Sequence, residues 1–166
     1  MKRAWILALV AVVSIIGCGR RREQPAPELK FELQGDTAGL SQGKPLLNKI
    51  EPYRAANGVL RVRGDVSFPD GVRIQISMYR KDTNEMLSRV QVIVDNHRFE
   101  SPPIIGPGGP LPHGDYRFEY LSLFNRAWQS DDVMRRTDRG RSLRGPGVTR
   151  DRVGAAAFYL VEERTL

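Results

Sequence analysis

From residue 58 onward apolar residues recur at every second position, and each run ends in a turn signal, the pattern of strands buried on one face and wet on the other. Residues 58–66 place Leu60, Val62 and Val66 on one side and Arg61, Arg63 and Asp65 on the other. Phe68-Pro69-Asp70-Gly71 supplies a turn, proline fixing φ and glycine accepting a positive one. Val72, Ile74, Ile76 and Met78 then oppose Arg73, Gln75 and Ser77. In residues 86–94, Val90, Val92 and Val94 are in phase, and Asp95-Asn96 predicts a tight reversal into residues 97–100, a hairpin.

The run SPPIIGPGGPLP over residues 101–112 is too rich in proline and glycine for a helix and reads as a crossover. Residues 115–124 alternate Tyr116, Phe118, Tyr120, Ser122 and Phe124 with Arg117, Glu119 and Leu121; such a stripe is core material. The last strand, residues 155–162, is apolar on both sides, as for a central strand. Between residues 20 and 57 no period is sustained, and Leu46, Leu47 and Ile50 suit one helical turn or an edge strand equally. Short strands without an amphipathic helix predict an all-β fold, an antiparallel two-sheet sandwich over residues 58–166, with residues 18–57 as tether and irregular segment.

The N-terminus has a different pattern. Lys2 and Arg3 precede an apolar run from Ile6 to Ile16 that is too short to span a bilayer as a helix, which reads as an export leader over residues 1–17. Ile15-Ile16-Gly17-Cys18 resembles the lipobox of bacterial lipoproteins. That resemblance implies cleavage before Cys18, a diacylglyceryl group on its thiol, acylation of the new amine, and a membrane anchor firmer than one acyl chain provides. Gly19 rather than aspartate after the cysteine implies, in that family, the outer membrane where the source has two. Cys18 is the only cysteine, so no disulfide framework enters the reading.

The 166-residue chain carries 26 basic and 19 acidic side chains; without Lys2 and Arg3 the basic count is 24 and the net charge falls from +7 to +5. Two places concentrate the excess: Arg20, Arg21 and Arg22 after the anchor, where headgroups would lie, and arginines 135, 136, 139, 141, 144, 150 and 152. The second stretch has no interleaved aromatics for stacking on bases, and Gly140, Gly145, Pro146 and Gly147 break any groove-reading helix, so no nucleic-acid partner is expected.

Leu111-Pro112-His113-Gly114-Asp115-Tyr116 has the spacing of a tyrosine corner, in which a tyrosine opening a strand bonds back to the crossover before it. In this the chain resembles immunoglobulin-like and transthyretin-like domains of exported proteins. Phe118 stands where antibody domains carry a cysteine, so an antibody-type domain is not implied.

Motifs for chemistry are sparse. His97 and His113 both sit beside turns, far from a second ligand, and no metal or other cofactor is expected. Asp131-Asp132 lacks the alternating oxygen ligands of a calcium loop. Ser41 and Lys44 match S-x-x-K only formally, and the prolines in residues 106–110 remove amides that a phosphate cradle needs. Catalytic residues are therefore not assigned. Trp128, with Arg135 and Arg136, is the candidate contact surface, because Trp and Arg dominate binding hot spots. The expectation is a non-catalytic, lipid-anchored envelope protein that binds or scaffolds an envelope protein partner; the alternative is a carbohydrate- or peptidoglycan-binding lipoprotein.

Overall fold

The computed structural model describes residues 40, 42–150 and 154–166. The leader, Cys18, Arg20 to Arg22, Ser41 and Arg152 lie outside them. The described chain is an antiparallel two-sheet β-sandwich. Its strands are β1 (Leu47–Arg54), β2 (Leu60–Val66), β3 (Arg73–Arg80), β4 (Met86–Ile93), β5 (Arg98–Glu100), β6 (Asp115–Leu123), β7 (Val148–Arg150) and β8 (Ala156–Thr165), with one helix, α1 (Asp131–Arg136), between β6 and β7. One sheet runs β1-β2-β5, the other β4-β3-β6-β8-β7.

Period two places the core. Leu60, Val62 and Val66 from the smaller sheet meet Ile74, Ile76, Met78, Phe118, Tyr120 and Phe158 from the larger, all at 3% exposure or less. Burying each such side chain stabilises the fold by about 1.5–3 kcal/mol. Phe68 closes one end, edge-on to Phe158 at 5.2 Å and tilted against Phe124 at 6.1 Å. Its turn forms as the sequence predicts: Gly71 has φ +88° and donates its N–H to Val94 O at 2.7 Å.

The tyrosine corner also forms. Tyr116 Oη donates to Pro112 O at 2.6 Å. A residue the motif does not include supports it: Arg54, at the end of β1, donates to the same Pro112 oxygen and to Leu111 O, both at 2.9 Å.

Three elements depart from the sequence pattern. The segment holding Leu47 and Ile50 is a strand, β1, paired with β2 from Leu47↔Val66 to Arg54↔Leu60, so the sandwich takes in residues before 58. The reversal at Asp95-Asn96 exists, with Asn96 and His97 both left-handed and a reciprocal 2.9 Å bond pair between Asp95 and Arg98. It does not make a hairpin within one sheet: β5 crosses to pair with β2. The reason is local. Gly64 leaves a hole on the inner face of β2 that the Phe99 ring fills; a Cβ there would lie 2.6 Å from that ring and 2.8 Å from Lys49 O.

The third departure is the arginine-rich stretch, where the pattern predicts neither strand nor helix: it holds the short strand β7 and, before it, α1. Ser130 caps α1 by accepting from Val133 N–H at 3.3 Å, Asp131 and Asp132 occupy the first turn, and Arg135 and Arg136 the last, each sign facing the favourable end of the helix dipole. Only Val133 and Met134 are buried, too few to register as a helical period.

Candidate functional site

The strands run between two ends of the sandwich, and each sheet turns one face outward. Those two faces differ in chemistry.

On the outer face of β1-β2-β5 the register lays out alternating charge. Glu51 pairs with Arg63 and Arg63 with Glu100 in one row; Lys49 pairs with Asp65 and Asp65 with Arg98 in the next. Arg63 Nε and Nη2 both reach Glu51 Oε2, at 3.0 and 2.9 Å, Arg61 meets Glu100 at 3.0 Å, and Arg98 meets Asp65 at 3.2 Å. Tyr53 donates to Glu100 at 2.7 Å, and Arg63 lies 4.9 Å above the Tyr53 ring. The Tyr53 hydrogen bond is the main cause holding the Glu100 carboxyl below its ordinary range, with Arg61 adding to it. Lys49, Glu51, Arg63, Asp65, Arg98 and Glu100, with Ile93 and Asp95 from the end of β4, line an open groove of about 500 Å³.

The outer face of the larger sheet is built otherwise. Register sets Tyr79 beside Arg117, Ser77 beside Glu119, Glu119 beside Val161, and Leu121 beside Tyr159. Arg117 meets Glu119 at 3.0 Å and stacks 4.5 Å over the Tyr79 ring. Neighbouring side chains crowd so closely that Ser77, on this outward phase, is 3% exposed. Burial first, then the Glu119 charge, raises the Tyr79 hydroxyl, and the same causes push Tyr159 up to about 12.

This face also carries bare apolar area. Ile93 is 59% exposed, Met86 45% and Val161 41%. They stand opposite Arg73, Tyr79 and Glu119 respectively, on the outward phase of the sheet; Ile93, at the far end of edge strand β4, also lines the groove of the charged face, whereas Met86 beside Tyr79 and Val161 beside Glu119 stay on the outer face of the larger sheet. The fourth large exposed apolar side chain among the described residues, Ile105, belongs to the crossover. No family model, curated protein or solved structure matches the chain.

The candidates from the sequence fall elsewhere. Trp128 is half-buried at a turn closed by its own N–H, which donates to Asn125 O and Oδ1 at 3.1 and 3.0 Å; its indole N–H is buried without a partner among the described residues. Arg135 and Arg136 sit on α1 and both bind Asp132, at 2.9 and 2.5 Å, while Arg136 also donates to Asp70 O. Those two pairings are the arginines' own, and no described contact joins them to Trp128. His97 holds the turn beneath it, its N–H donating to Asp70 Oδ1 at 2.9 Å, and His113 lies at the opposite end of the sandwich beside Gly114. Sequence reading missed the Tyr79, Tyr159, Met86 and Val161 surface because its members come from three strands, and only the sheet register brings them to one face.

Proposed function

We propose that the protein is a lipid-anchored binding module of the bacterial cell envelope, without catalytic chemistry, and that it engages an envelope protein through the outer face of its five-stranded sheet. One observation carries the reading of that face: Met86 and Val161 expose apolar area on the strands that carry and flank the half-buried Tyr79, Tyr159 and Arg117. Aromatic residues, Met and Arg are the side chains that protein interfaces favour. Anchorage rests on Ile15-Ile16-Gly17-Cys18. Trp128 would add to the contact at one end.

Two experiments test this reading. Metabolic labelling with a palmitate analogue should mark the wild-type chain and spare Cys18→Ser; equal labelling defeats the anchor. Tagged protein crosslinked in cells should hold one defined partner that is lost on Met86→Lys with Val161→Lys; retention by that variant defeats the assigned face.

A second reading, glycan or peptidoglycan binding, draws on the Tyr79 and Tyr159 rings flanking the Glu119 carboxylate on an open sheet. It predicts retention on purified cell-wall material after the lipid has been removed, sensitive to Tyr159→Ala.

A further inference from the structure

The two ends of the sandwich are charged differently. At one end lie the Phe68-Gly71 turn, the Asp95-Arg98 turn and the whole segment from Asn125 to Gly147. From Asn125 to Arg150 that segment carries seven arginines against three aspartates, and Asp132 is already occupied by Arg135 and Arg136. At the other end, Arg80, Lys81 and His113 stand among Asp82, Glu85, Asp115 and Glu163, with Lys81 paired to Glu163 at 2.7 Å.

The basic end is an ordered loop, not a frayed one. Buried Thr137 organises it: its Oγ1 donates to Val133 O at 2.8 Å and accepts from Gly140 N–H at 3.1 Å, and its carbonyl accepts from the Ser142 hydroxyl at 2.8 Å. Gly140, at φ +80°, packs where a Cβ would lie 2.4 Å from Ala156, and Leu143 is buried beneath. On this base Arg139, Arg141 and Arg144 are exposed. Arg144 donates to Arg141 O at 2.5 Å and Arg150 reaches the same oxygen at 3.4 Å, which gathers these cations; Arg150 Nη1 is buried with no partner among the described residues.

The described chain also starts here. Gly145 N–H donates to Leu40 O at 2.8 Å, and Gly43 packs against Arg144. Leu40, the described residue nearest to Cys18 along the chain, is therefore held at the arginine-rich end.

We infer that this end is a membrane-facing surface: Arg139, Arg141 and Arg144 meet the anionic phospholipid headgroups of the membrane that holds the lipidated Cys18. The inference rests on the lipoprotein reading above. It sets the strands pointing away from the bilayer and turns the Tyr79-Tyr159 face sideways, open to a partner. Cationic side chains near an anionic surface attract it within about one Debye length, and salt screens the attraction.

The test uses the full chain, lipidated in the host, purified in detergent and reconstituted into vesicles of phosphatidylcholine alone or mixed with phosphatidylglycerol. Cys18 is consumed by lipid, so Ser142→Cys and Thr83→Cys each place one fluorophore, at the basic and the opposite end. Quenching by a headgroup-attached nitroxide should be severalfold stronger at residue 142 than at 83 in the anionic vesicles. The difference should shrink in high salt and in Arg139→Ser/Arg141→Ser/Arg144→Ser. Equal quenching of a vesicle-bound, lipidated chain, or a difference unchanged in that triple variant, overturns the inference alone. A chain that stays out of the vesicles with a free Cys18 thiol overturns the lipoprotein reading and the inference with it.

Discussion

The two outer faces are both solvent-facing sides of antiparallel sheets, yet only one is complete in itself. On β1-β2-β5, each charge has an opposite neighbour set by the register, Glu51 with Arg63 and Asp65 with Arg98. A second molecule docking there would have to break those pairs and desolvate their members, which costs about as much as the new contacts return. On the larger sheet the polar pair Arg117 and Glu119 lies on the strand between those that expose Met86 and Val161, apolar area that a partner could cover without breaking an ion pair. The difference shows why counting charged residues does not locate a binding site. What matters is whether the groups are already satisfied.

Consequences of that contrast run from large effects to small. Gly64→Ala, beneath the charged face, should lower unfolding free energy by about 1–3 kcal/mol, since the new methyl meets the Phe99 ring and Lys49 O. Denaturant titration reads it, and an unchanged midpoint would mean that β5 is not held by that packing. Met86→Lys with Val161→Lys should weaken partner retention tenfold or more, with stability moved by about 0.5 kcal/mol or less, as for ordinary surface changes. Equal losses in both quantities would make the two side chains structural.

The tyrosines give a pH signature. Tyr159 is raised to about 12, chiefly by burial and secondly by Glu119, so the folded state favours the neutral phenol. Its contribution to stability is whole below the ordinary value near 10 and disappears as pH climbs through about 12. Ultraviolet titration of the folded protein should show a late phase that Tyr159→Phe diminishes and that Glu119→Gln moves to lower pH. A phase indifferent to Glu119→Gln would contradict the arrangement around that carboxylate. The smallest effect belongs to Arg63→Gln on the charged face. The unfolding midpoint in high salt should stay where it was, because exposed pairs are screened; a large drop would show that the lattice of charges holds β1 in place.

The alternation that predicted the sandwich was legible because five strands bury one face only, as Leu60 to Val66 and Tyr116 to Phe124 illustrate. The turn at Gly71 and the tyrosine corner were legible too, since each needs particular residues at fixed spacing. β1 was ambiguous: its residues from Ile50 to Arg54 are uniformly half-buried at a sheet edge, which leaves little period to read. Leu87 breaks the phase of β4 because the pairing with β3 shifts register between Met78↔Ser88 and Tyr79↔Met86. The sheet switch at β5 depends on a cavity over Gly64 that a linear pattern cannot display. The candidate surface was the least legible part, for Tyr79, Glu119 and Tyr159 become neighbours only through strand order.

The claim that the five-stranded face is where this protein meets its partner is tested most directly by a photo-crosslinking amino acid placed singly, in cells, at Met86, Gln91 and Val161 on that face and at Lys49, Arg63 and Arg98 on the other. The account predicts one discrete crosslinked species from the first three positions and none from the second three. Crosslinks of equal yield from both faces, or from the charged face alone, would contradict it.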